Sequence, residues 1–251
     1  MKKVIKYLIL ILFLSSISAV KISAQTCGFG CLGLSGIYGG YTVQNYDAKN
    51  LTDFVKSQLA DDIEAPEYGK GTGFKVGANI FRAKFDGFFI SAKGFYQFLE
   101  ENYQVEVNTQ YVDNEKYEFS SNYFGFGLDF GFDIVNLISL KLVEGGLTFH
   151  DADFKITTTL KDDAVSINET SLKYTNDKLK IGYYVGTGLI IHLIQDYVSI
   201  EGTAFYSIYD INNLSRETIS GSVAGLLPQD QKTISSGGFG ATVQLNIGFP
   251  F

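Results

Sequence analysis

The sequence predicts an all-β chain folded as one eight-stranded antiparallel up-and-down barrel whose outer surface meets lipid. Three observations predict it. First, from Phe239 the odd positions Phe239, Ala241, Val243, Leu245, Ile247, Phe249 and Phe251 are apolar, while the even positions are Gly, Thr, Gln, Asn, Gly and Pro. That is the period of two of a strand with one greasy face. Second, the opposite face is crowded with glycine, which costs backbone entropy on an open strand but suits the narrow interior of a closed eight-stranded barrel. Third, the connections between strand-like segments alternate long and short, at about 26, 3, 20, 4, 26, 3 and 27 residues. Long connections on one side and tight turns on the other are the pattern of a membrane barrel.

The chain opens with Lys2, Lys3 and Lys6, an apolar run from Tyr7 to Leu14, and small residues ending at Ala24. This three-part pattern predicts a secretory signal peptide over residues 1–24, with cleavage after Ala24 or, as second choice, Ala19. The barrel domain is then residues 25–251. Its loss of four lysines takes the formal charge from -7 to -11, an acidic balance that excludes nucleic acid as a partner. Cys27 and Cys31 lie just past the cleavage site, in an oxidising compartment, and suit a local disulfide or inert thiols. Thr26 argues against lipidation of Cys27, and two cysteines without nearby histidine make a poor metal site. No segment past residue 25 is long and apolar enough for a spanning helix.

Eight strands are expected. The first runs over 33–44, with Ile37, Tyr41 and Val43 opposite Gly36, Gly40, Thr42 and Gln44. The second covers 71–84, with Phe74, Val76, Ala78 and Ile80 opposite Lys75, Gly77 and Asn79; Phe85-Asp86-Gly87 then turns the chain. The third covers 88–99, setting Ile90, Ala92, Gly94, Tyr96 and Phe98 against Ser91, Lys93, Phe95 and Gln97. In the fourth, Phe124 to Ile134 on even positions alternate with Tyr123, Gly125, Gly127, Asp129, Gly131 and Asp133. The fifth, 139–153, breaks alternation around Glu144-Gly145-Gly146, which predicts a bulge. The sixth, 180–194, turns at Gln195-Asp196-Tyr197 into the seventh, 198–209, and the eighth is the terminal segment.

The long connections carry pattern too. Leu51, Phe54, Val55 and Leu59 share a helical face, so Leu51 to Leu59 is expected to form a short helix capped by Asn50 that packs over the barrel mouth or binds a partner. Tyr103, Val105 and Val107, then Tyr117 and Phe119, and Ile156, Thr158 and Leu160, then Val165 and Ile167, continue the alternation past the membrane. They would form either stiff loops or a protruding sheet with edges open to strand addition.

On the lumen face the charged candidates are Lys93, Asp129, Glu144 and Glu201, with His192 beside them. Counted from the short turns they occupy a similar depth. Buried charges must pair, so a polar plug is expected, with a gated ion path as the other reading. One lysine against three carboxylates leaves negative charge over, for which Lys75, His192 or a bound cation could compensate.

With this terminal strand, and this aromatic residue at its end, the sequence resembles the small eight-stranded outer-membrane barrels of the OmpA and OmpX types. The resemblance implies an outer-membrane location, contact with outer-membrane lipid or lipopolysaccharide, and recognition of Phe249 and Phe251 by the barrel-assembly machinery. The lumen network likewise resembles an OmpA-type interior. The chain departs from the longer OmpA-type proteins in having no peptidoglycan-binding domain after Phe251, which puts wall anchoring in doubt.

The expected function is non-enzymatic: a structural or surface-binding barrel acting through its extracellular loops, with an unknown extracellular protein as possible partner. The alternatives are a small-solute pore and a lipid A-modifying enzyme. For the enzyme, His150 beside Asp151 and Asp153 is the only candidate outside the lumen, and no serine sits in nucleophile geometry with it. The bland reading is a surface histidine. No cofactor or catalytic metal is expected: Asp151 and Asp153 fall short of a calcium loop, and the glycine runs are strands rather than phosphate-binding turns.

Overall fold

The computed structural model describes residues 35–85, 87–107, 112–160, 169–176, 178–195, 197–212, 214–217 and 232–249. The signal peptide, Cys27, Cys31, the turn residues Asp86 and Asp196, the pair Val165 and Ile167, and the terminal Phe251 lie outside the described residues.

Eight strands close into a ring. In chain order these are β1 (Gly36–Asn45), β2 (Lys70–Phe85), β3 (Phe88–Glu106), β4 (Val112–Val135), β5 (Ile138–Leu160), β7 (Lys180–Ile194), β8 (Val198–Ile208) and β12 (Phe239–Gly248). Each is antiparallel to its neighbours, and β12 closes on β1 over nine register pairs, from Gly36 with Gly248 to Gln44 with Gly240. Ring closure leaves no edge within the band, the condition for backbone to cross hydrocarbon as strands. Phe249 donates its N–H to Ser35 and Gly248 to Tyr197, so the described ends of the ring sit on the side of the short turns. At one of those turns Gly87 adopts a φ of 87°, which its lack of a Cβ permits.

The outside of the ring is apolar strand after strand: Ile37 and Tyr41, Phe74 and Val76, Phe126 and Leu128, Val185 and Leu189, Leu245 and Ile247 are all exposed. Water-soluble monomers rarely leave so continuous a belt uncovered; in lipid it is the stable arrangement. Aromatic pairs edge the belt, with Tyr206 against Phe239 at 4.8 Å near one rim and Phe88 against Phe130 at 5.9 Å near the other.

Beyond the belt, on the side of the long connections, β3, β4 and β5 run on well past the predicted ends of the third to fifth strands. There β5 exchanges β7 for a new partner, β6 (Glu169–Thr175), which pairs in turn with β10 (Ser215–Glu217). Asn176 makes the exchange possible: its side chain accepts the Ala152 N–H at 2.5 Å and donates to the Lys178 carbonyl at 2.8 Å. The extended sheet is covered by helix α1 (Lys49–Gln58) and by the small pair β9 (Ile211–Asn212) and β11 (Lys232–Ile234). Leu51, Phe54 and Val55 of α1 are buried in one core with Tyr117, Phe119, Phe154, Tyr174, Ile211 and Ile234. The helix thus forms where helical periodicity places it, but its N-cap is Ala48 rather than Asn50, and the Asp47 carboxylate accepts the Lys49 N–H at 3.2 Å.

Candidate functional site

Among the described residues, two regions hold the polar residues that could act: the lumen and the cap on the side of the long connections. In the lumen the charged layer is a single connected network. Lys93 reaches Asp129 at 3.0 Å and Glu144 at 2.7 Å. Lys141 binds Glu144 and Glu201 together and the Thr203 hydroxyl at 3.1 Å. Ser91 donates to Asp129 at 3.2 Å and Asn246 to Glu201 at 3.2 Å. Lys93, Asp129, Glu144 and Glu201 are therefore brought together, all nearly fully buried.

Lys141 is the member that strict alternation misplaces. Counting by twos from the inward Glu144 puts residue 141 on the lipid face, where an ammonium is expensive. In the structure a bulge falls between Lys141 and Glu144, and Leu142 and Val143 both face outward. The bulge turns both charged residues inward, so they meet as an ion pair. The sequence signal was available in the two adjacent apolar residues flanked by opposite charges.

This corrects the charge balance. Lys75, Lys93 and Lys141 face Asp129, Glu144 and Glu201, three charges of each sign, and neither His192 nor a bound cation is required. Lys75 makes no salt bridge among the described residues; its ammonium lies 4.1 Å from the centre of the Phe95 ring and 5.8 Å from those of Tyr184 and Phe205. These rings form an apolar layer above the ion pairs, with Phe95 and Tyr184 edge to face at 5.6 Å. Glycine makes room for it. A Cβ on Gly125 would lie 2.1 Å from the Phe95 ring, and one on Gly127 2.1 Å from the Tyr184 hydroxyl.

His192 sits one layer nearer the short turns, its Nε2 2.7 Å from the Ser139 hydroxyl, which in turn donates to Asp133 at 2.5 Å. The order is carboxylate, hydroxyl, imidazole. A nucleophilic triad needs the imidazole in the middle, so this is a structural chain. His150, expected at the surface, is completely buried and points into the top of the lumen. Its ring stacks on Tyr209 at 3.9 Å and lies 4.5 Å from Tyr123. Asp151 and Asp153 alternate away from it, and Asp153 pairs with Lys173 at 3.5 Å. Among the described residues no group of three or more acidic, histidine or cysteine side chains is placed to hold a metal.

Among its described residues the cap has one buried charge, missed by the sequence reading. Glu101 accepts the Tyr46 hydroxyl, the Gly69 N–H at 3.0 Å and the Lys70 N–H at 2.9 Å, and its second oxygen accepts the Tyr103 hydroxyl at 2.9 Å. It lies in the inward register of Lys93, Phe95, Gln97 and Leu99, which is the signal that could have found it. Burial, then the Glu101 carboxylate, pushes Tyr103 up to about 12 and Tyr46 well above the ordinary phenol range. On the outer face of the sheet the Lys116 ammonium holds Glu118 below the usual carboxylate range. Beside α1 the segment 60–68 encloses an open cleft of about 790 Å³, lined by Asp47, Asp53, Asp61, Asp62, Glu64 and Glu67 against only Lys49 and Lys56.

No protein-family model matches the chain. No curated protein matches it either. Solved structures do. The attachment invasion locus protein Ail of Yersinia pestis aligns at 14% identity and a TM-score of 0.39, over 88% of this chain and 99% of that one. Neisserial surface protein A aligns at 10% identity and 0.40, over 86% and 99%. The outer-membrane protease OmpT of Escherichia coli aligns at 9% identity and 0.39, over 92% and 99%. Scores this low carry no argument about binding or activity. The architecture rests on the ring and its apolar belt, which make this chain an integral membrane β-barrel protein.

Proposed function

We propose that this barrel is a non-enzymatic surface-binding protein that works through its extracellular cap. The observation that carries the reading is the contrast between the two regions. The lumen is filled by paired charges and an aromatic layer, with Lys93, Lys141, Glu144 and Phe95 all buried. The cap has a hydrophobic core of its own and holds a helix, an extended sheet and an acidic cleft in place. Ordering so many residues above a membrane costs entropy, and a barrel that only stabilised the envelope would gain nothing from it.

In this reading residues 1–24 direct export, Phe249 and Phe251 engage the assembly machinery, and the belt contacts lipid and lipopolysaccharide. No cofactor takes part. Single-channel recording in planar bilayers, with mass spectrometry of lipid A from expressing cells, tests the reading. It expects no conductance and unchanged lipid. Steady conductance would favour the pore, and an altered lipid A the enzyme.

A further inference from the structure

Besides the continuous strands β3, β4 and β5, an aromatic stack ties the chain leaving β8 for the cap to the barrel, and a titratable group lies at its centre. His150 projects inward from β5, Tyr123 from β4, and Tyr209 follows directly after β8, where the chain leaves the ring for β9 in the cap. Tyr209 lies nearly parallel to the imidazole, at an interplanar angle of 13°. It accepts a hydrogen bond from Gln44 of β1 at 3.4 Å, and its carbonyl accepts the Gly237 N–H at 2.9 Å. Tyr123 donates to the same Gln44 side chain at 3.0 Å, and Gln97 of β3 donates to it at 3.3 Å. The stack therefore ties β1, β3, β4 and β5 to the segment entering the cap.

We propose that His150 is an acid-sensitive latch: neutral, it holds Tyr209 and the part of the cap that carries β9 and β11 on the barrel, and protonated, it releases them. Its Nε2 is 2.8 Å from the Thr148 hydroxyl, while Nδ1 is buried without any partner. The imidazolium carries a proton on each nitrogen, so it is a buried cation whose Nδ1–H faces no acceptor. The surroundings offer no counter-charge. Gln97 on β3, Tyr123 on β4, Gln44 on β1, Gly182 on β7 and Tyr209 present no carboxylate, and the residue paired with His150 across β5 and β7 is Lys180, of like sign. Asp151, next on the same strand, alternates to the other face. The buried carboxylate on the cap side, Glu101, is already engaged by four donors. The tyrosine faces would attract an imidazolium, but that attraction is smaller than the cost of an unhydrated ion with an unmet donor. The charged ring needs water, and water enters only if Tyr209 moves aside. A histidine buried neutral must charge in acid, so this contact weakens as the pH falls.

The chain contains only two histidines, His150 and His192, which makes the test clean. Amide hydrogen exchange is measured on the full barrel in nanodiscs between roughly pH 7 and 5, the range in which histidine alone titrates, and expressed as protection factors. The expected result is about a tenfold loss of protection in 209–212, 214–217 and 232–236 at the acid end, with β12 and β4 unchanged. His150→Gln should abolish the loss, and His192→Gln should leave it intact. Should His150→Gln fail to fold, the imidazole shift in the wild type must titrate together with the cap signals. Loss of protection that persists in His150→Gln, or an imidazole that titrates while the cap stays closed, would overturn the latch. Neither result bears on channel activity or lipid chemistry, so the surface-binding reading stands or falls separately.

Discussion

Replacing Lys141 with methionine tests the lumen network at its most connected point. Lys141 is completely buried and bridges Glu144 and Glu201, the carboxylates of β5 and β8, the two strands that flank β7. At an effective dielectric of 20, a pair such as Lys93 with Glu144 at 2.7 Å has a gross attraction of about 6 kcal/mol. Much of that is offset by desolvation, and breaking one buried pair typically costs about 3–5 kcal/mol. Lys141→Met removes one cation from Glu144, Glu201 and, at 4.0 Å, Asp129. Glu144 keeps Lys93, but Glu201 is left with only the neutral Thr203 and Asn246. The expected loss is therefore about 4 kcal/mol, within that range. Adding Glu201→Gln should recover most of it, because the remaining ions then balance. The assay is urea unfolding of the barrel in lipid vesicles, followed by the shift of the folded band on unheated detergent gels. A loss under about 1 kcal/mol, the scale of an exposed pair, would refute the reasoning and return Lys141 to the outer face that strict alternation gives it.

Three further outcomes are expected. A Cβ on Gly146 would lie 1.9 Å from the Phe126 carbonyl oxygen, whereas one on Gly202 meets nothing within 4 Å; Gly146→Ala should cost about 1–3 kcal/mol or prevent folding, and Gly202→Ala should be nearly silent in the same unfolding assay. Glu101→Ala strips an acceptor from four donors and should destabilise the cap by about 3 kcal/mol while sparing the ring, seen as faster proteolysis within 60–70 with unchanged gel mobility. The raised Tyr46 and Tyr103 hydroxyls stabilise the cap fully below the ordinary phenol value near 10. That contribution disappears as the pH rises through about 12, so tyrosinate absorbance and cap protection should change together in that alkaline window.

The ring was legible because lipid on one side and a narrow lumen on the other impose the same period of two on every spanning strand. Phe126, Leu128, Leu245 and Ile247 could sit on no other face, and glycines such as Gly125 and Gly127 marked where rings must fit. Lys141 was hidden because a bulge changes the count by one residue, and alternation has no memory across it. Glu101 was hidden by the opposite habit, since a carboxylate near a loop reads as solvated until Tyr46, Gly69 and Lys70 are seen to converge on it from distant segments. The exchange of β7 for β6 along β5 depends on the Asn176 side chain meeting Ala152, a tertiary contact that no local pattern announces. The helix was readable from Leu51, Phe54 and Val55, but its start was not, because Asp47 supplies the acceptor expected of Asn50.

The central claim is that hydrocarbon touches the outward set. Methyl-labelled barrel in nanodiscs should show cross-relaxation from lipid acyl protons to Leu128, Val185, Leu189, Leu245 and Ile247, and none to the buried Leu99 and Ile190. Water contacts at the outward methyls with acyl contacts absent would contradict the account.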